Sequence, residues 1–179
     1  MESTILLPGW MTDLKLYNPR GGLNVCIGTS DTKSTAAPYV VGLSLGALVA
    51  LKEAERITGK IILINPPLPK RSLLVWLVQW VKFIKSEGLF FRRQKFTRNP
   101  LRFVIEIVNC VKLLNIDFSK VIENIPFGNL IVVRGRGDRF FCDDKAVDYI
   151  RSKNIKLIEV DGGHNWCENM EEVVNNLTI

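Results

Sequence analysis

The chain has 179 residues, 24 Lys and Arg against 18 Asp and Glu, and a hydrophobic share of 47%. That length suits one domain with a real core, and the composition excludes an intrinsically disordered chain. With a single histidine, multi-histidine metal centres are excluded, and any chemistry that needs an imidazole base must use His164.

In chain order, short β-branched or aliphatic runs recur at Thr4–Leu7, Asn24–Ile27, Tyr39–Val41, Lys60–Ile64, Leu130–Val133 and Lys156–Val160. Most are continuously apolar rather than alternating, which is how strands covered on both faces of a parallel sheet read. Between Ile27 and Tyr39 there are too few residues for the usual crossover helix, so a stripped-down sheet is expected there. The segment Leu45–Ile57 has helical periodicity. Leu45, Leu48, Val49 and Leu51 form its apolar face, Lys52, Glu53, Glu55 and Arg56 its polar one, and Gly59 is the expected stop.

Asn65-Pro66-Pro67-Leu68-Pro69 is a turn that breaks the strand–helix alternation. Helices are expected over Arg71–Glu87 and Pro100–Leu114, with a shorter one within Asp117–Asn124. The expected organisation is a single domain: an α/β core of residues 1–65 and 125–179, with residues 66–124 as a helical cap insertion over one sheet edge. The core has a mainly parallel central sheet flanked by helices.

Gly42-Leu43-Ser44-Leu45-Gly46 has the spacing G-x-S-x-G between a strand and a helix. A serine on such a sharp turn projects its hydroxyl above the sheet, small flanking residues let neighbouring backbone pass, and the helix start behind it favours developing negative charge. Two more groups follow strand ends: Asp138 in Arg134-Gly135-Arg136-Gly137-Asp138, and His164 in Asp161-Gly162-Gly163-His164. Reacting groups in open α/β sheets collect at the carboxyl ends of strands. Asp143 and Asp144 are alternative acids within the same loop. Asp161 and Asp13 read as turn or cap residues, and Cys142 and Cys167 as packing thiols.

On GLSLG, RGRGD, DGGH and the opening LLPGW, the sequence resembles the α/β-hydrolase superfamily, over most of the chain outside the helical insertion. The resemblance implies a minimal α/β-hydrolase fold with Ser44 as nucleophile, His164 as general base and Asp138 as the carboxylate that orients the imidazole. It implies an oxyanion hole built from the backbone N–H of Leu45 and a second N–H from the loop after Leu7, that of Trp10 or Met11. Many members have His-Gly where this chain has Pro8-Gly9, and the first strands and one crossover helix of larger members are missing. The implied reaction is hydrolysis of an ester or thioester without a cofactor or metal.

Leu73, Leu74, Trp76, Leu77, Trp80, Val81, Phe83 and Ile84 make the first cap helix too apolar for one narrow face; Trp76, Trp80 and Phe83 are the candidate substrate-binding residues. Lys82, Lys85, Arg92, Arg93, Lys95, Arg98 and Arg102 gather in the same insertion, so an acidic carrier protein or an anionic surface is a candidate partner for a small ester or acyl substrate. Nucleic acid is not expected, because no binding motif accompanies the charge. Cys26, Cys110, Cys142 and Cys167 form no CxxC pair, and no basic segment ahead of an apolar run marks a leader, so a cytoplasmic location is expected.

Overall fold

The computed structural model describes residues 4–9, 38–87 and 100–178; for residues 87 and 100–106 only the backbone is described. The strands are β1 (Thr4–Leu7), β2 (Tyr39–Leu43), β3 (Lys60–Ile64), β4 (Leu130–Gly135) and β5 (Lys156–Val160). They form one sheet in the order β1-β2-β3-β4-β5, and every neighbouring pair is parallel. The helices are α1 (Leu45–Lys52), α2 (Leu73–Glu87), α3 (Pro100–Leu114), α4 (Ser119–Asn124), α5 (Asp144–Ser152) and α6 (Glu168–Leu177). The strand expected at Asn24–Ile27 lies outside the described residues.

Side chains of successive strand residues point to opposite faces, so a strand covered on both faces must be apolar at every position. Ile61 and Leu63 pack into one core layer with Val40, Leu130 and Val132, while Ile62 and Ile64 pack into the other with Val41, Leu43 and Val133. The first layer is closed by residues of α1, the C-terminal half of α3, α4 and α5; the second is closed by Met170 and Val174 of α6. Each such fully buried aliphatic side chain contributes roughly 1.5–3 kcal/mol relative to exposure.

Two expectations are corrected at the level of elements. The helix read as Leu45–Ile57 ends at Lys52, and a 3-10 turn over Ala54–Arg56 follows. The tighter turn brings the chain round towards the start of β3, and Gly59 lies in the bend before that strand rather than at a helix end. The face of α1 is also wider than its periodicity suggests: Leu45, Gly46, Ala47, Leu48, Ala50 and Leu51 are all buried.

The segment 66–124 is not uniformly a cover. Cys110 and Leu113 of α3 and Phe118 and Ile122 at α4 belong to the first core layer, and both helices contact α1. Of the helices in this segment, α2 carries the rings that reach the residues beyond β4 and β5. Its outward residues Leu74, Leu77, Val78 and Val81 remain exposed, Leu74 by 70%. Among the described residues no helix is long and apolar enough to cross a membrane.

The pairing register brings the strand ends together. Leu43 lies beside Ile64, Ile64 beside Val133, and Gly135 beside Val160. The residues that follow β2, β3, β4 and β5 therefore emerge at one rim, and Ser44, Asn65, Asp138 and His164 are among them.

Candidate active site

Ser44 joins β2 to α1 with φ 52° and ψ −117°, a conformation rarely adopted by a residue with a side chain. Its backbone N–H donates to the Ile64 carbonyl at 2.8 Å, and its own carbonyl accepts from Ala47 at 3.0 Å. The turn is therefore held from both sides, and this pays for the strain. Gly46 allows the approach of helix to strand: a Cβ there would overlap the carbonyl oxygens of Leu7 and Pro8. The G-x-S-x-G spacing thus has a steric cause.

The hydroxyl of Ser44 lies 2.9 Å from His164 Nε2, and His164 Nδ1 lies 2.6 Å from Asp138 Oδ2. Asp138 is fully buried. Its Oδ1 accepts the N–H groups of Phe140 and Phe141 at 3.0 and 3.1 Å, and its Oδ2 that of Cys142 at 3.1 Å. Burial opposes the carboxylate charge, but the His164 ring and these backbone donors outweigh it, so the carboxyl sits below the usual carboxylate range.

The loop bearing His164 packs tightly on the end of β4. A Cβ on Gly135 would overlap the carbonyls of Gly162 and Gly163, and Gly137 donates its N–H to the Gly162 carbonyl at 2.8 Å. The RGRGD and DGGH segments are thus two halves of one contact. In the first segment, Gly135 and Gly137 are required because their α-carbons meet the Gly162–Gly163 backbone.

The alternative acids are otherwise engaged. Asp143 forms a two-point ion pair with Arg71, with Arg71 Nη1 at 2.8 Å from Oδ2, and it caps α5 by accepting from the Ala146 N–H. Burial works against its charge, but Arg71 prevails and lowers its pKa. Asp144 pairs with Arg134 and Asp161 with Arg136. The Cys142 thiol is fully buried, and burial, aided by the Asp138 charge, pushes its pKa up, leaving it un-ionised and inert.

Around the imidazole stands an aromatic group. Phe141 lies 4.6 Å from the His164 ring centre and Phe83 of α2 lies 5.3 Å from it; Phe83 also meets Phe140 and Phe141 edge-on at 5.5 and 5.4 Å. Trp76 is buried and stacks on Phe141 at 6.3 Å, while the Arg71 guanidinium lies over its ring. Trp80 is half-buried.

The structure therefore brings together Ser44, Asp138 and His164, with Leu45 next to the serine at the start of α1, and sets Phe83 against them and Trp76 one ring further out. Trp10 and Met11 lie outside the described residues, as do Asp13, Cys26, Arg92, Arg93, Lys95 and Arg98. Phe140, Phe141 and Asn65 were missed by the sequence reading. The aromatic pair that starts two residues after Asp138 was the available signal for the phenylalanines; Asn65 offered none, because its partners lie 98 and 99 residues away.

No protein-family profile and no curated protein matches this chain. Solved structures do. One, from a study of carboxylesterases of the thaumarchaeon Nitrososphaera gargenis, is 13% identical with a TM-score of 0.59, covering 98% of this chain and 89% of that one. The N-formylmaleamic acid deformylase of Pseudomonas putida S16 is 13% identical with a TM-score of 0.58, covering 98% and 92%. An α/β-hydrolase from the metagenome of Mar Chica lagoon sediments is 16% identical with a TM-score of 0.59, covering 98% and 90%. The likeness is one of fold: this chain has the α/β-hydrolase fold.

Proposed function

We propose that this chain is a serine hydrolase that cleaves a carboxylic ester or thioester through an acyl-serine intermediate. The observation that carries the reading is the continuous chain of contacts from the Ser44 hydroxyl through both nitrogens of the one histidine to a buried, hydrogen-bonded carboxylate. Ser44 Oγ attacks the substrate carbonyl carbon while His164 Nε2 accepts the hydroxyl proton. The carbonyl oxygen becomes an oxyanion, held by the Leu45 N–H and by an N–H of the loop after Leu7, that of Trp10 or Met11.

Collapse of the tetrahedral species breaks the bond to the alcohol or thiol, which leaves with the proton from His164. Water then loses a proton to the freed imidazole and attacks the acyl carbon, and the acid departs as Ser44 regains its proton. Asp138 holds the ring in one orientation and stabilises it while charged. No cofactor enters this sequence. The rings of Phe83 and Phe141 beside His164, with Phe140 against Phe83, favour an apolar acyl or aromatic group on the substrate.

The test is labelling with a fluorophosphonate probe and turnover of a panel of p-nitrophenyl esters and acyl thioesters. Wild type is expected to label and turn over, and Ser44→Ala to do neither, losing at least about 10³-fold in rate. A folded wild type that stays unlabelled, or a Ser44→Ala variant that labels equally, overturns the reading in favour of a non-catalytic binding module.

A second reading concerns where the substrate is met, and one observation favours an anionic lipid surface over an acidic carrier protein. Leu74, Leu77, Val78 and Val81 form an outward stripe one residue-turn apart on α2, and the charged side chains described on this helix, Lys82 and Lys85, are exposed cations. A continuous apolar stripe with flanking lysines suits an interface of acyl chains and anionic headgroups.

A further inference from the structure

Asn65 follows the last residue of β3 and is fully buried, at a left-handed φ of 45° that asparagine tolerates better than most residues. Its side-chain Nδ2 donates to the carbonyls of Gly163 and His164 at 3.0 and 2.9 Å, and its Oδ1 accepts the Gly135 N–H at 2.9 Å. Its own N–H donates to the Val133 carbonyl at 3.0 Å. One side chain thus ties together the ends of β3 and β4 and the loop that presents the histidine.

The neighbouring residue adds the second half of the argument. Ile64 accepts the backbone N–H of Ser44 at 2.8 Å. The nucleophile's backbone and the base's backbone are therefore anchored to adjacent residues, the first by the Ile64 carbonyl and the second by the Asn65 side chain. The brace acts where the loop already meets β4: the Gly162 and Gly163 carbonyls sit against Gly135, and Asn65 bonds both the Gly135 N–H and the Gly163 carbonyl.

We infer that Asn65 is a positioning residue, which keeps the His164 ring in register with both Ser44 and Asp138. The inference rests on the serine-hydrolase reading for its kinetic consequence but not for its geometric one. An amide is suited to the task because it offers two donors to two carbonyls and an acceptor to an N–H in one plane. A carboxylate of the same shape would face the carbonyls of Gly163 and His164 without a proton to give.

The experiment compares Asn65→Ala, Asn65→Asp and Asn65→Gly with wild type, by ester kinetics and by the far-downfield proton resonance of the His164 Nδ1–H···Asp138 hydrogen bond. Because the chain has one histidine, that resonance needs no assignment among others. The expected result is a fall in kcat of about 10²-fold, with KM changed less than about threefold, as a small misplacement of a reacting group produces. The resonance should be lost or broadened in all three variants while their thermal unfolding stays cooperative.

Folded variants that keep both the resonance and kcat overturn the inference, as does loss of the fold in all three, which would mark Asn65 as a core residue only. If wild type shows no hydrolysis, the hydrolase reading falls while the resonance still decides whether Asn65 positions the ring.

Discussion

Asp138 illustrates what burial does to one side chain when every one of its lone pairs is spoken for. With three backbone N–H groups and the imidazole on its oxygens, its carboxylate is favoured over the acid despite the lack of solvent. Its folded-state pKa lies below the ordinary 3.8. It follows that the ionised group adds stability above that value, and that this increment is lost as the pH falls through the lower, folded value. Wild type should therefore lose unfolding free energy between about pH 5 and pH 2 more steeply than Asp138→Asn, as followed by urea denaturation. In ester hydrolysis the same variant should lose about 10⁴-fold in kcat, because an amide favours the wrong imidazole tautomer. Equal slopes in the two proteins would remove Asp138 as a source of acid sensitivity.

How the serine could be read in advance is a matter of sterics at single residues. Gly46 faces the carbonyls of Leu7 and Pro8, and the turn at Ser44 takes a positive φ, so the motif encodes its own backbone geometry within five positions. Asn65 has no such local signature. Its bonds reach Gly163 and His164, 98 and 99 residues away, and nothing near position 65 announces them.

Among the elements, α2 is the one whose position bears most on the proposed substrate selectivity. Its sequence limits were legible from the apolar run, starting two residues later than expected, but its attachment was not. It is fastened to the acid loop by Arg71 and Asp143 and by a weaker 3.4 Å contact from Gln79, and it lays Phe83 on the imidazole. Phe83→Ala removes a ring from a cluster in which each aromatic pair contributes about 0.5–1.5 kcal/mol beyond area. We expect KM for medium-chain esters to rise about tenfold, with kcat less affected and longer or bulkier acyl groups gaining relative preference. A chain-length profile measured with p-nitrophenyl esters that does not move would show that the acyl group lies elsewhere. The helices α3 and α4 teach a different lesson: read as cover, they also build the core, because Cys110, Leu113 and Ile122 meet α1 across the chain.

For the whole molecule, the distribution of apolar surface leads to one further expected outcome. The stripe Leu74, Leu77, Val78 and Val81 with Lys82 and Lys85 should bind vesicles containing phosphatidylglycerol and not those of phosphatidylcholine alone, with binding weakened by salt. Co-sedimentation of wild type, Leu74→Ser/Leu77→Ser and Lys82→Glu/Lys85→Glu measures this, and each double variant should lose about tenfold or more in partitioning. Absence of binding at low salt, or turnover of carrier-bound esters in preference to lipid esters, overturns the lipid reading.

The sequence by itself determined the parallel sheet, because strands buried on both faces must be apolar at every position, and Ile61 to Ile64 are so buried. It also determined the strand–serine–helix turn and the two glycine-rich loops, since close backbone approach leaves a mark at the residues that approach. Only the tertiary structure decided which acid pairs with the histidine, which aromatic rings stand beside it, and that Asn65 braces its loop. Those are contacts between segments far apart along the chain, and a hydrogen bond or ring contact formed across such a distance constrains geometry in space without imposing any period or spacing on the residues around it.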